Sequence, residues 1–209
     1  GILTNESQAI DGAELDSLSD GQLAKRINSL TVFARVQPSD KMRIVKAFQS
    51  EGMVVAMTGD GINDATAIKA ADIGVAMGDG SDVAKGASDM VLTDDNFVSI
   101  KDAVKEGRRV YDNVRKAIQF LLASNLSEVL CIFIAMILSI PFLKPAHLLW
   151  INLITDCFPA LALGLEPCEE DIMDRPPRSH TKGLFSDGMG VDIIFQGIVV
   201  TALTIASYY

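Results

Sequence analysis

The 209-residue chain has few cysteines and no cluster of basic residues, and each lack excludes a class of protein. The three cysteines, Cys131, Cys157 and Cys168, form no C-x-x-C pair, so neither a disulfide framework nor a zinc module is indicated. The net charge is −9, and Lys and Arg never gather into a patch that could neutralise several phosphates. We therefore expect no nucleic-acid partner.

The sequence also lacks an initiating methionine and a secretory signal, and it ends inside a hydrophobic stretch. We expect a fragment of a longer protein. With 49% hydrophobic residues, the composition is too apolar for a single soluble domain of this charge. A polar part, residues 1–117, and an apolar part, residues 118–209, together account for that composition.

Within the polar part, short apolar runs alternate with helical stretches. The runs are Thr31–Val36, Met53–Met57, Ile73–Met77 and Met90–Leu92. The helices predicted between and after them cover about 39–50, 63–71, 81–87 and from 96 onward. This alternation is typical of an α/β fold with a parallel sheet. The residues before Thr31 predict one short helix and no chemistry.

The helix that begins near residue 96 has no stop signal before the apolar segment 118–140. That segment would be about 34 Å long, enough to cross a hydrocarbon layer of about 30 Å. A short turn bracketed by Pro141 and Pro145 leads to a second apolar segment, 147–165. The pair is predicted to be antiparallel.

A third apolar segment, 191–209, follows the polar loop 166–190. The loop carries several Arg and Lys, whereas the turn between the first two segments has only Lys144. The positive-inside rule therefore places residues 1–117 and the loop in the cytoplasm of a multi-pass protein in a lipid bilayer.

The string Thr58-Gly59-Asp60-Gly61-Ile62-Asn63-Asp64 follows the second predicted strand. Ligands of open α/β sheets bind beyond the carboxyl ends of strands. Asp60, Asn63 and Asp64 offer hard oxygen atoms at that edge, which predicts a Mg²⁺ site beside a phosphoryl group. A lone Gly-Asp-Gly turn would only cap a helix, but the whole string after a strand favours the metal site.

Lys41 lies near the start of the helix predicted after the first apolar run. A helix N-terminus already favours an anion, and a Lys there can neutralise a transferring phosphoryl oxygen. Lys41 is therefore predicted to act at the same edge as Asp60.

Two acidic residues, Glu128 and Asp156, fall near the middle of the first and second apolar segments. A charge at that depth is costly and indicates function. Antiparallel packing would bring both carboxylates to about one depth. Helical spacing adds Asn125 beside Glu128, and Asn152 and Thr155 beside Asp156. These five oxygen donors predict a cation site, whereas one polar residue alone would only join two helices.

At this point a family resemblance is clear, because the polar part contains FARVQPSDKMRIVKAFQ and VVAMTGDGINDATAIKAADIGVAMG. These strings resemble the phosphorylation domain of P-type ATPases, cation pumps with a haloacid-dehalogenase-like fold. The resemblance implies Mg²⁺ and ATP as cofactors, with Asp60 and Asp64 as Mg²⁺ ligands and Asn63 completing that site. It implies phosphoryl or nucleotide contacts from Arg35, Lys41, Thr58 and Gly59.

The family's phosphorylated aspartate lies in a D-K-T-G-T string, which these 209 residues do not contain. The resemblance implies that the actuator domain, the nucleotide-binding domain and further membrane segments belong to the same pump. We expect the 209 residues alone to be inactive as an ATPase.

In the apolar part, ASNLSEVLCIF and LLWINLITDCFPALALGLEP resemble two membrane helices of calcium pumps. The resemblance implies Asn125, Glu128, Asn152, Thr155 and Asp156 as Ca²⁺ ligands and, for a bacterial protein, a place in the plasma membrane. Oxygen chemistry alone leaves Mn²⁺ or Na⁺/K⁺ open. The residues are also compatible with a membrane-anchored phosphatase that uses Asp60 and Asp64, and with a membrane protein that has no enzymatic activity.

Overall fold

A computed structural model describes residues 3–140, 144–178 and 182–208 of the chain. The chain divides into two compact units, Gly1–Lys101 and Asp102–Tyr209. Pro141 and Tyr209, which the sequence interpretation used, lie outside the described residues.

The strands of the first unit are parallel. Strand β1 (Ala9–Asp11) pairs with β2 (Val32–Ala34). In a second sheet, β4 (Ile73–Met77) lies between β3 (Ala56–Gly59) and β5 (Met90–Leu92). Because every described strand pair is parallel and a helix lies between successive strands of each sheet, the predicted α/β arrangement is confirmed.

The helices of this unit are α1 (Gly12–Ser17), α2 (Asp20–Ile27), α3 (Pro38–Ser50), α4 (Ala65–Ala70) and α5 (Asp82–Ala87). Helix α3 packs against both α2 and α4. One core cluster, which includes Ile10 and Leu23, lies beneath α2 and α3. A second cluster, which includes Ile68 and Ala76, lies between β4 and its neighbouring helices.

Three details of the sequence prediction for this unit were wrong. Strand β1 was not predicted, because a run of three residues among polar neighbours is too short to show the alternation of apolar and polar residues that is typical of a strand. The single helix expected before Thr31 is two helices, since Ser19 caps α2 and ends the preceding turn. Strand β3 begins at Ala56 rather than Met53, and Met53 and Val54 are exposed.

The second unit is helical. Its elements are α6 (Val98–Ile137), which starts in the first unit, α7 (Pro145–Trp150), a π-helix (Ile151–Asp156), α8 (Cys157–Gly164) and α9 (Met189–Tyr208). Among the described residues, three helical stretches are long and apolar enough to cross a membrane: Val98–Ile137, Pro145–Gly164 and Met189–Tyr208. The prediction of one continuous helix from near residue 96 into the first apolar segment is confirmed.

The structure corrects the bounds of two predicted spans. Helix α6 ends at Ile137 instead of residue 140, and Ser139 then adopts a left-handed φ of 56°. The second span begins at Pro145 and is not one regular helix, because six residues in its middle form the π-helix. A π-helix is a rare element that is often found at functional sites.

Helix α9 packs closely on α6. A Cβ atom at Gly197 would lie 2.8 Å from Leu126 Cδ2, so a larger residue there would require the Leu126 side chain to shift. The buried Thr201 hydroxyl donates to the Gly197 carbonyl at 2.7 Å and lies 3.5 Å from the Ser127 carbonyl. These contacts hold α9 beside Leu126 and Ser127 of α6.

The segment after α8 is held against α6 by polar contacts. Asn113 Nδ2 donates to the Glu166 carbonyl at 2.8 Å. Arg175 donates to Asp112 Oδ2 at 3.0 Å and also to Glu169 and Asp171. Hydrogen bonds from Arg175 hold the pKa of Glu169 and of Asp171 below their ordinary values.

These pKa shifts predict acid-sensitive docking of residues 166–178. Because the folded-state pKa values are lowered, the stabilisation is complete above the ordinary values, 4.5 for Glu169 and 3.8 for Asp171, and decreases as the pH falls below them. Amide hydrogen exchange of the chain in lipid nanodiscs, corrected for intrinsic rates, should show protection of residues 166–178 that falls in this acid range. In Arg175→Gln the protection should be low already at neutral pH. Equal protection in both proteins would contradict this role of Arg175.

Candidate functional sites

The first candidate site lies at the carboxyl end of β3. Strand β3 ends at Gly59, Asp60 follows, and a 3₁₀ turn, Ile62–Asp64, leads into α4. Lys41 Nζ forms an ion pair with Asp64 Oδ1. Asp64 is buried, with 7% of its surface exposed. The structure therefore brings together two of the residues that were predicted from separate parts of the sequence.

Gly59 is required by a close approach rather than by a special backbone angle, since its φ is not in the left-handed region. A Cβ atom there would lie 2.5 Å from Asp64 Cβ and 2.9 Å from Asp64 Oδ2. At Gly61 the nearest atom, again Asp64 Oδ2, would be 3.7 Å away, which is an ordinary contact. The space around the Asp64 carboxylate thus depends on Gly59.

The start of α3 positions Lys41. Pro38 occupies the first helical turn, and the Asp40 carboxylate accepts a hydrogen bond from the Gln37 backbone at 2.9 Å. Asp40 is 2% exposed, so this cap is rigid. The role of Asp40 was not predicted, although an acidic residue three positions after a helix cap is a recognised signal.

The remaining residues predicted for this site are more loosely placed. Asp60 and Asn63 are exposed, and the Asp60 carbonyl accepts a hydrogen bond from Ser81 N at 2.8 Å. Thr58 is half-buried within β3. Arg35 is exposed after β2, with a left-handed φ of 54°. Among the described residues, no hydrogen bond joins Arg35 to Lys41 or Asp64.

The oxygen donors at this edge suit a hard cation such as Mg²⁺. Lys41 occupies one oxygen of Asp64, while the other, Oδ2, lies beside the space that Gly59 leaves open. In the part of the chain that the structure describes, no three His, Cys, Asp or Glu side chains converge on one point. A metal here would need Asp60, Asp64 and oxygen atoms from a phosphoryl group or water.

The second candidate site lies between α6 and the π-helix. Asn152 Nδ2 donates to Glu128 Oε2 at 3.0 Å. In return, the Ser124 hydroxyl donates to Asp156 Oδ1 at 2.9 Å. Each helix therefore gives one neutral donor and one carboxylate to the other, an exchange that the sequence did not predict. Since Ser124 and Glu128 are one turn apart on α6, the two carboxylates are offset by about one turn.

Each carboxylate keeps one buried oxygen without a donor. Among the described residues, Glu128 Oε1 and Asp156 Oδ2 have no hydrogen-bond partner. Asp156 is 3% exposed. An ionised carboxylate in such a place is costly unless a cation or a proton compensates it. These two atoms are therefore candidate ligands for a cation.

The π-helix contains the three residues that were predicted as ligands on the second span. Pro159 has no N–H, so it cannot bond the Thr155 carbonyl four residues earlier, although α8 continues through this position. The second span therefore includes an irregular stretch, the π-helix at Ile151–Asp156, just before α8.

Two predicted ligands are not joined to this pair. Asn125 and Thr155 are exposed, and no hydrogen bond within the described ranges connects either side chain to Glu128 or Asp156. Ser124, by contrast, contacts Asp156 directly and was not predicted as a site residue. Its spacing of four from Glu128 repeats the spacing of Asn152 from Asp156, which was a usable signal.

Comparison with known protein families divides the chain at about the same place as its composition. Residues 42–104 match the family described as haloacid dehalogenase-like hydrolase. Residues 140–209 match the family described as cation transporting ATPase, C-terminus. With the parallel strands and long apolar helices, these matches establish the fold class as a haloacid-dehalogenase-like α/β part followed by transmembrane helices.

Individual relatives match across both parts. Calcium-transporting ATPase 1 of Bacillus cereus is 50% identical over the whole chain, which covers 24% of that protein. Calcium-transporting ATPase of Bacillus subtilis is 48% identical over 99% of the chain and 24% of its own length. Endoplasmic reticulum calcium ATPase srcA of Aspergillus fumigatus is 46% identical over 96% of the chain and 21% of its length.

The chain therefore spans about a quarter of the length of the curated relatives it matches. Its three candidate spans and its relatives make it part of a multi-pass integral membrane protein. Over its whole length, the chain is a homologue of the calcium-transporting P-type ATPases.

Proposed function

We propose that the chain is part of an ATP-driven pump that moves Ca²⁺ across a membrane through an aspartyl-phosphate intermediate. The observation that carries the proposal is the pair of buried carboxylate oxygens Glu128 Oε1 and Asp156 Oδ2. They lie on two candidate membrane spans, and the residues that the structure describes offer neither of them a hydrogen-bond donor. A cation is the ligand that offsets two such charges.

The edge of β3 would serve the phosphoryl chemistry. Lys41 would neutralise a phosphoryl oxygen, and its ion pair with Asp64 keeps the ammonium group at the end of β3. Asp60 and Asp64, with Asn63, would hold Mg²⁺, which when bound supplies charge neutralisation for the transferred phosphoryl group. Arg35, Thr58 and Gly59 are proposed to contact the nucleotide or the phosphoryl group.

In this reaction the γ-phosphoryl group passes from ATP to an aspartate carboxylate, the bond to ADP breaks, and water later releases phosphate. The aspartate that accepts the group is not in these 209 residues, which contain no D-K-T-G-T string. The actuator and nucleotide-binding domains are likewise expected in the longer protein, of which this chain spans about a quarter.

For the transported ion we propose oxygen ligands from Glu128, Asp156 and Asn152, with Asn125 and Thr155 joining them once an ion is bound. Both N–H groups of the Asn152 amide are in use, one toward Glu128 and one toward the Leu148 carbonyl, so its oxygen is available. Calcium is favoured over Mn²⁺, Na⁺ or K⁺ because the relatives of both parts are named calcium ATPases. Residues 1–117 and 166–190 are proposed to face the cytoplasm.

The phosphoryl site is tested by two neighbouring glycines in the full-length protein. Gly59→Ala would push the Asp64 side chain aside, at a cost of about 1–3 kcal/mol, and we expect phosphoenzyme levels to fall about tenfold. Gly61→Ala is the matched control, since its Cβ meets only an ordinary contact. Phosphoenzyme is measured by acid quench after labelled ATP is added. Equal phosphoenzyme levels in the two variants would show that the Asp64 carboxylate is not part of the phosphoryl site.

The cation site is tested with Glu128→Gln and Asp156→Asn. Each substitution removes one charge from the pair, so we expect loss of calcium-activated phosphorylation by ATP, while phosphorylation by inorganic phosphate without Ca²⁺ persists. Asp60→Asn should give the reverse result, with Ca²⁺ binding retained and phosphoenzyme lost.

Wild-type calcium dependence in both carboxylate variants would contradict the calcium assignment. If their Mn²⁺ or Na⁺ dependence changes instead, the chain belongs to a pump for that ion. If Ca²⁺ has no effect on any variant and phosphatase activity depends on Asp60, the membrane-anchored phosphatase replaces the pump.

A further inference from the structure

Ser124 contacts Asp156, a proposed ion ligand on the opposite helix. Its hydroxyl donates to Asp156 Oδ1 at 2.9 Å, and its side chain lies on α6 one turn before Glu128. Asp156 is almost fully buried, so water cannot replace this donor at little cost.

Because of this hydrogen bond, the two oxygens of Asp156 have different surroundings. Oδ1 accepts from Ser124, and Oδ2 is buried without a partner among the described residues. Glu128 is divided in the same way, with Oε2 accepting from Asn152 and Oε1 left over. A carboxylate fixed in this way presents one oxygen, not two, to an approaching cation.

We propose that Ser124 is a positioning residue for the transported cation. Its hydroxyl holds Asp156 so that the carboxylate binds the cation through Oδ2 alone. This inference rests on the proposed function of Asp156. Ser124 itself does not bind the ion. Its hydrogen bond restricts rotation of the Asp156 carboxylate before the cation binds. The entropy cost of ordering this side chain is therefore not added to the free energy of binding.

The spacing of the four residues supports the proposal. Ser124 precedes Glu128 by four, Asn152 precedes Asp156 by four, and the helices are antiparallel, so each donor meets the carboxylate of the opposite helix. A single contact of this kind could arise from packing alone. Two such contacts, each leaving one buried carboxylate oxygen without a hydrogen bond, favour a shared role, in which each carboxylate binds the cation through one oxygen.

The test uses Ser124→Ala, Ser124→Thr and a control, Thr204→Val, in the full-length protein in membrane vesicles. Thr204 is a membrane-helix hydroxyl that donates only within its own helix, to the Val200 carbonyl at 2.7 Å. The measurement is the Ca²⁺ concentration for half-maximal phosphorylation by ATP. Phosphorylation by inorganic phosphate without Ca²⁺ reports folding and the β3 site.

Ser124→Ala should raise the half-maximal Ca²⁺ concentration about tenfold, as expected for loss of a hydrogen bond to a charged group. Ser124→Thr, which keeps the hydroxyl, should stay within about twofold of wild type, and Thr204→Val should be unchanged. All three should keep phosphorylation by inorganic phosphate. If Ser124→Ala does not accumulate, Ser124→Cys takes its place, because a thiol has nearly the same shape and is a weak donor.

A wild-type calcium dependence in Ser124→Ala overturns the proposal, and so does a Ser124→Thr variant as impaired as Ser124→Ala. These outcomes are separate from failure of the proposed function. If Glu128→Gln and Asp156→Asn abolish calcium activation while Ser124→Ala does not alter it, the ion site stands and only the role of Ser124 is lost.

Discussion

The structure of the helical unit depends on how two carboxylates are tolerated inside apolar helices. Removing a carboxylate from water costs several kcal/mol even after the protein relaxes, and contacts with apolar neighbours do not offset this desolvation free energy. Glu128 and Asp156 each receive one neutral donor from the opposite helix. Because each donor must reach across, the exchange fixes the register of α6 against the π-helix. A shift of one residue would turn both donors away from their acceptors.

At the carboxyl end of β3, the buried carboxylate of Asp64 is stabilised in a different way. Asp64 is neutralised by the ammonium group of Lys41, whose side chain is 33% exposed, so the pair can exchange partners with solvent and with an anion. Asp60 is exposed. A charged, partly hydrated pair would suit the proposed phosphoryl transfer. The neutral donors in the helical unit leave the charge of both carboxylates uncompensated, which would suit the proposed cation site.

Much of this arrangement could be predicted from the sequence, for physical reasons that are specific to each element. Strand β4 matched its apolar run, since a strand with neighbours on both sides needs apolar residues throughout. The long helix followed from length and unbroken period. The edge strand β3 was misplaced, because Met53 and Val54 are as apolar as a strand but are exposed.

Pairings across space could not be predicted from the sequence in the same way. Nothing local indicates that Lys41 meets Asp64 or that Gly59 is needed for room rather than for a turn. The π-helix at Ile151–Asp156 was likewise not predicted from the sequence. Ser124 was recognisable as a hydroxyl in a span, but its task depends on which acceptor the opposite helix brings to it.

The position of Glu128 is set by contacts on several sides of α6. Asn113 donates to the carbonyls of Gly164, the last residue of α8, and of Glu166, which follows that helix. Thirteen residues further along α6, Leu126 lies against Gly197 of α9, two residues from Glu128. A helix held at one point can still rotate about its axis, and a rotation of about 100° moves each side chain to the place of its neighbour. Contacts on different faces prevent that rotation, so Glu128 Oε1, which Asn152 leaves without a hydrogen bond, keeps its place beside the π-helix.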